Sequence, residues 1–240
     1  MHDIRQFTLS DMSHCGAALR KLGSGAQSME DAADRVVRHL YDQLIDGETG
    51  DRAMVLVRIF KTHAYEDLDE DLRTFAREAL GDDSPPPEMK CLTLLASVGD
   101  EPQWNSRANS TGHKAIPLPS EELVRQFPMI SNLVKQFGLE INTVLNPDPS
   151  CLRDLEQTTY NVFLVPETPG SPYVPAQEEF VIPYAVKSTM GFGGILPSGN
   201  LFAVIMFSRV PIAQETADKF KPLALAAKMA ILPFEQAVFA

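Results

Sequence analysis

Two spacings of apolar residues divide this chain into helices and strands. From Ser28, the residues Ala33, Val36, Val37, Leu40 and Leu44 recur every three or four positions, the repeat of a single helix face. Ser28 is placed to cap that helix, and Glu30 and Asp31 fall in its first turn, where carboxylates suit the helix dipole. Gly47 to Gly50 closes it, and Met54–Phe60 (MVLVRIF) follows as a strand fit for a sheet centre. Upstream, Ser10 opens a helix carrying Leu19 and Leu22 that stops at Gly23-Ser24-Gly25. Downstream, Leu72, Phe75, Ala76 and Ala79 stripe a helix over Asp69–Leu80, and Cys91–Val98 reads as a second strand beyond three consecutive prolines. Ser120 caps a helix through Leu123, Phe127, Ile130, Leu133, Val134 and Phe137, which Pro128 kinks or splits and Gly138 stops. Tyr160–Val165 is a third strand.

The stretch from Phe180 to Phe234 reads as strand, tight turn, strong apolar strand and long terminal helix. Phe180–Ile182 opens an apolar run, Met190–Leu196 carries three glycines, Pro197-Ser198-Gly199-Asn200 is a turn signal, and Leu201–Phe207 is continuously apolar. After Pro211 the period becomes helical, through Phe220, Leu223, Ala227, Ile231, Phe234 and Val238.

The run LFAVIMFS, reached through a glycine-containing turn and followed by an acidic spacer and a helix rich in Leu and Ala, resembles the closing half of a GAF domain. The order helix, strand, short turn over 28–60 resembles its opening. The resemblance implies an α+β fold of the GAF/PAS kind: a central antiparallel sheet flanked by helices, with the N- and C-terminal helices packed together on one face. It further implies an N-terminal helical extension at 1–27 and one domain over 28–240 with an insert at about 99–150. In that family, helices and loops between the early and late strands cover a ligand cavity, so the insert is the expected lid and Phe180–Phe234 the floor and exit helix.

Composition narrows the partners. Lys and Arg number 21 against 32 Asp and Glu, a net charge of −11, and no basic cluster stands out to bind nucleic acid. The N-terminus MHDIRQF lacks the form of a secretory signal, and Leu201–Phe207 is too short to span a bilayer, so a cytoplasmic location is expected. Cys15, Cys91 and Cys151 are too scattered for a disulfide framework or a zinc site, and the histidines at 2, 14, 39, 63 and 113 show no metal-ligand spacing. Gly191-Phe192-Gly193-Gly194 precedes a strand-like run and lacks the Lys of a phosphate loop. Its glycines serve a bulge or close packing where floor and cover meet. The acidic run from Glu66 to Asp71 lacks the spacing of a calcium loop and reads as a solvated helix start.

A sensory pocket needs apolar walls with a few fixed polar groups. Lys61 and His63 just past the first strand, Trp104, Arg107 and His113 in the insert, and Phe163, Tyr184 and Phe192 are the expected lining. The reading that follows is a non-catalytic cytosolic sensory or regulatory domain. It would bind a small ligand under the insert and pass the change to a homodimer, through Ser10–Leu44 and the C-terminal helix, and to a downstream module. Pro222 and Pro233 exclude a continuous coiled coil there. The alternatives are a thiol-dependent reductase using Cys91, since some GAF-like domains reduce sulfoxides with pocket cysteines, and a ligand-free interaction module. No cofactor is named by the residues.

Overall fold

The computed structural model describes residues 1–110, 112–148, 150 and 160–239; Cys151 lies outside them. The chain opens with a two-residue strand β1 (His2–Asp3), helices α1 (Leu9–Lys21) and α2 (Met29–Gln43), and β2 (Leu44–Ile45), which pairs in parallel with β1. Ser28 caps α2 as expected, its hydroxyl accepting from Asp31 N at 3.0 Å. Ser10 does not cap α1. Thr8 does, because it forms a reciprocal box with Asp11: the Thr8 hydroxyl accepts from Asp11 N and the Asp11 carboxylate from Thr8 N.

The sheet strands are β3 (Met54–Ala64), β4 (Lys90–Gly99), β5 (Ala115–Leu118), β6 (Asn161–Val165), β7 (Ser188–Ile195) and β8 (Leu201–Ser208), with α3 (Glu70–Leu80) between β3 and β4. They form one antiparallel sheet in the order β5-β4-β3-β8-β7-β6. The fold is therefore α+β with a central antiparallel sheet. Strand β5, AIPL, is hidden in the sequence by its proline; as an edge strand paired only to β4 it can hold Pro117 opposite Cys91 without losing a ladder bond on its free side. Residues 99–150 thus supply an edge strand besides the short helices α4 (Glu121–Arg125), α5 (Pro128–Gln136) and α6 (Ile141–Leu145). Pro128 splits α4 from α5 by occupying the first turn of the second helix, where its missing N–H costs nothing.

Two readings in the closing stretch need correction. Phe180–Ile182 is not in a strand: Gln177–Val181 is a π-helical turn, and Ala185 follows with φ of +53°. The apolar run packs its aromatic rings without offering backbone to the ladder. The terminal helix does not run to Val238. It is broken into α7 (Gln214–Asp218) and α8 (Lys221–Ile231), and Pro233 confines the next residues to a single 3-10 turn. Beyond it the chain turns and leaves the helix, and the carbonyls of Ala237 and Val238 accept from the first amides of α2, Met29 N at 2.8 Å and Glu30 N at 2.9 Å, groups that a helix cannot satisfy internally.

The sheet is buried on both faces. Against one pack α1, α2 and α8, on a core that includes Val36, Leu40, Val57, Ile59, Phe192, Val204, Phe220 and Ala227. Phe220, Leu223, Ala227 and Ile231 point into this core, fully buried, so the stripe expected to await a partner helix is already used. Against the other face pack α4, α5 and α6, on Leu56, Phe60, Leu94, Phe137, Phe163, Ala203, Ile205 and Phe207.

The register of β7 on β8 is unbroken from Ser188 to Ile195, so the glycines there make no bulge. They allow close approach: a Cβ on Gly193 would lie 2.1 Å from the Phe202 carbonyl oxygen and 3.0 Å from the ring of Phe137, the residue that ends α5. Gly193→Ala is expected to cost ~1–3 kcal/mol through overpacking, read as a lower urea midpoint. An unchanged midpoint would mean that sheet and α5 have slack at this crossing.

Candidate functional site

Strand pairing lays out the insert-covered face in rows. One row runs Leu94, Phe60, Ala203, Gly193; the next runs Ser97, Arg58, Ile205, Gly191, Phe163; a third runs Gly99, Leu56, Phe207, Thr189, Val165. Alternation along β3 puts Val57 and Ile59 on the terminal-helix side and Leu56, Arg58 and Phe60 on this one. Arg58 therefore stands in the middle row of an apolar face, partly buried. Its one hydrogen bond among the described residues goes to Ser97 Oγ at 3.3 Å, and burial alone pulls its guanidinium down to about 10. Ser97 is fully buried. His113 is close enough to feel the Arg58 charge, which together with the larger effect of burial lowers its pKa, and its backbone sits at φ of +61°.

An aromatic cluster closes one end of this face. Trp104 lies 5.5 Å from Phe180 and 4.8 Å from Tyr184, and Phe180 meets Phe207 edge-on at 4.9 Å. The Tyr184 hydroxyl donates to Glu101 at 3.0 Å. The cover here is the π-turn, whose neighbour Ile182 is 59% exposed. Backbone outliers such as Ala185, His113 and a π-turn cost energy and cluster where a segment has to move or bind.

The expected lining residues are not all together. Trp104, Tyr184 and Phe163 share the insert-covered face, with His113 beside Arg58. Phe192 points the other way, packed 5.9 Å from Phe220. Arg107 pairs with Glu30 of α2 at 3.0 and 3.1 Å and lies over the Phe239 ring. Lys61 and His63, near the end of β3, are buried at 3% exposure. His63 meets the Phe239 ring at a tilt, 5.6 Å between centroids, with neither ring nitrogen hydrogen-bonded. Arg58 is not among the expected lining, although a lone Arg inside MVLVRIF is a visible departure from an apolar strand.

Two surface grooves flank these regions. One, of about 410 Å³, lies between Asn132 and Gln136 of α5 and the chain from Leu164 to Glu167. The other, of about 310 Å³, lies between Glu30, Asp34 and Arg38 of α2 and Asn105–Arg107.

No family model matches the chain, and no curated protein matches it. Solved structures do. The chromophore-binding domain of an unusual bacteriophytochrome from R. palustris is 9% identical over 93% of this chain and 61% of its own, with a TM-score of 0.41. The photosensory core module of the Stigmatella aurantiaca phytochrome is 12% identical over 95% of this chain and 37% of its own, with a TM-score of 0.41. The phycoerythrobilin-bound GAF domain from a cyanobacterial phytochrome is 10% identical over 95% of this chain and 98% of its own, with a TM-score of 0.39. The chain spans less than two thirds of the first two. All three are phytochrome structures, and one of them is a GAF domain. At such TM-scores the overlap carries nothing about ligand or activity.

Burial, with Lys61 beside it, pushes the His63 imidazole down to about 3, against a smaller opposing pull from the Lys61 backbone. The unfolded chain protonates this ring below its ordinary 6.5 while the folded one does not. Stability linked to His63 is therefore intact above that value and is lost as pH falls toward 3. His63→Leu is expected to flatten the fall of the thermal midpoint across this window, removing a slope of up to ~1.4 kcal/mol per pH unit. Superimposable pH profiles for the two proteins would show the ring to be hydrated in solution.

Proposed function

We propose that this chain is a non-catalytic sensory or regulatory domain that takes a small ligand between the sheet and the insert layer and passes its occupancy to the terminal helices. The observation that supports it is the segment from Gly99 to Arg107, which is tied to both layers. Trp104 and Glu101 hold the aromatic cluster on the insert side. Asp100 accepts from the Tyr41 hydroxyl of α2 at 2.7 Å, the Asn105 carbonyl from Arg38 at 3.1 Å, and Arg107 pairs with Glu30. A ligand that shifts the aromatic cluster therefore does work on α2, which is what coupling between a site and an output requires. In this reading residues 1–27 are a helical extension of a domain over 28–240, and the protein acts in the cytoplasm ahead of a downstream module.

Dimerisation belongs to the same proposal. The exposed apolar positions of α8 are Leu225 and Met229, one turn apart at 44% and 49% exposure. They, and not the stripe from Phe220 to Ile231, are what α8 offers to a second copy.

Thiol chemistry is disfavoured. Cys91 and Cys15 are buried in separate clusters, and burial pushes both thiols up to about 12, so the nucleophilic thiolate is scarce at neutral pH. Cys91→Ser is expected to leave peroxide and sulfoxide reactivity unchanged; a loss of turnover would restore the reductase reading.

Native mass spectrometry of freshly purified protein, followed by hydrogen exchange with any retained or added ligand, tests the sensor reading. Protection should rise both around Trp104 and Tyr184 and at the start of α2. No bound mass, together with no thermal shift across a metabolite collection, would overturn it in favour of an interaction module. Leu225→Glu with Met229→Glu should yield monomer in sedimentation equilibrium where the parent is a dimer, and a monomeric parent would remove the dimer.

A further inference from the structure

Strand β6 ends the sheet on one side, paired only to β7. In an antiparallel pair every second residue turns its N–H and C=O away from the partner strand. Leu164 is such a residue on β6, since both of its groups are bonded on the side away from β7. Leu164 N donates to Gln136 Oε1 at 2.9 Å, and Gln136 Nε2 donates to the Leu164 carbonyl at 3.1 Å. A carboxamide carries the donor and the acceptor of a peptide group. The Gln136 side chain therefore makes the two bonds by which a residue of one more strand would hold Leu164. By the same alternation Val162 faces outward, and its N–H donates to the Asn161 side chain at 3.0 Å. Pro166, next in that row, has no N–H, and its carbonyl accepts from Ser188 Oγ at 2.6 Å.

The groove of about 410 Å³ gives this edge room. Leu164–Glu167 line it on one side, with Asn132 and Gln136, one turn apart on α5, on the other. Ser171 and the 43% exposed Tyr173 line it as well. Their loop is held by Gln177, which accepts from Gly170 N at 2.7 Å and donates to the Val174 carbonyl at 2.6 Å, so that wall is fixed before anything binds. Glu167 is the one charged side chain among the described residues lining the groove, on a chain of net charge −11.

We propose that this edge is a docking site for an extended, basic segment of a partner polypeptide, which joins the sheet beside β6 when the Gln136 side chain swings out. The exchange at Leu164 is bond for bond: a peptide N–H and C=O replace those of the carboxamide, and Gln136 regains its rotamer freedom. A Lys or Arg of the segment meets Glu167. A second copy of β6 fits less well, because antiparallel pairing centred on Leu164 sets Pro166, without an N–H, against Val162 on both sides. The proposal concerns the sheet edge and does not rest on the insert-covered face being a ligand site.

The test uses the full chain, isotope-labelled for NMR, and a pool of capped hexapeptides with Lys at the third position and Val, Ile or Thr elsewhere. The pool should shift the amide signals of Val162, Leu164 and Gln136. Methylating alternate backbone nitrogens of the peptides should weaken binding about tenfold in one phase and hardly at all in the other, because only one phase points at β6. Glu in place of Lys in the peptides should weaken binding, and Glu167→Lys should reverse that preference. Gln136→Ala, which removes the competitor for Leu164, should bind the pool about threefold more tightly. No shift at millimolar peptide, or equal losses in the two methylated phases, would overturn the proposal. So would a Gln136→Ala protein that self-associates and takes up no peptide, since Gln136 would then be a guard against edge pairing. If that variant fails to fold, the two methylated phases on the parent protein decide the matter.

Discussion

Strand β8 is buried along its whole length, from Leu201 to Ser208, and the rest of the molecule follows from that constraint. A strand apolar on both sides needs two covers, since burying its side chains on one face alone would leave about half of the hydrophobic gain in water. The chain supplies one cover from its ends and the other from its middle. Ends brought together over one face also explain why the C-terminal carbonyls of Ala237 and Val238 can serve as the cap of α2.

The two covers differ in kind. The terminal layer is built mainly on α1, α2 and α8, helices of 11 to 15 residues, with capping side chains at Thr8 and Ser28 and only the short α7 beside them. The middle layer is made of helices of 5 to 9 residues, a π-turn and loops that contain His113 and Ala185, the two non-glycine residues at positive φ among the described residues. Short helices hold fewer internal hydrogen bonds and depend on tertiary contacts for their stability. Local opening is therefore easier on the insert side than on the terminal side.

Much of this is legible in the residues, and the failures have physical causes. Helix α2 is readable because its cap, its dipole-matched acids and its apolar period agree, and β3, β4, β6 and β8 because β-branched and apolar runs are bounded by turns. The apolar character of Phe180–Ile182 misleads about the backbone and holds for burial only in part, with Val181 buried and Ile182 exposed, since a short apolar run does not distinguish a strand from a tight helical turn. Pro117 conceals β5, because a proline argues against a central strand and says little about an edge. Phe192 lies on the face opposite to the expected one for a simpler reason: side chains alternate across a strand, and without the register of β7 on β8 nothing assigns Phe192 to one face and Gly191 to the other. Arg58 is the opposite case. Its neighbours in MVLVRIF already place it within a buried strand, and the conflict between its charge and those neighbours is visible in the residues alone.

The position of Arg58 also bears on how the two faces are connected. Val57 and Ile59 flank Arg58 in sequence and lie in the terminal-helix core, while Arg58 faces the insert. A rigid sheet hydrogen-bonded on both sides of β3 transmits little displacement through its own thickness, because moving one residue strains two ladders. The segment from Gly99 to Arg107 is not so constrained: it leaves the end of β4, touches the aromatic cluster with Trp104, and reaches α2 with Arg107 three residues later. Arg107 also lies over Phe239, beside the tail that caps α2. Trp104, Arg107 and the tail that caps α2 thus lie along one line of contacts around the edge of the sheet. The polar sequence from Gln103 to Ser110 has no periodicity to make it helix or strand, and the side chains of Trp104 and Arg107 hold it to the insert side and to α2.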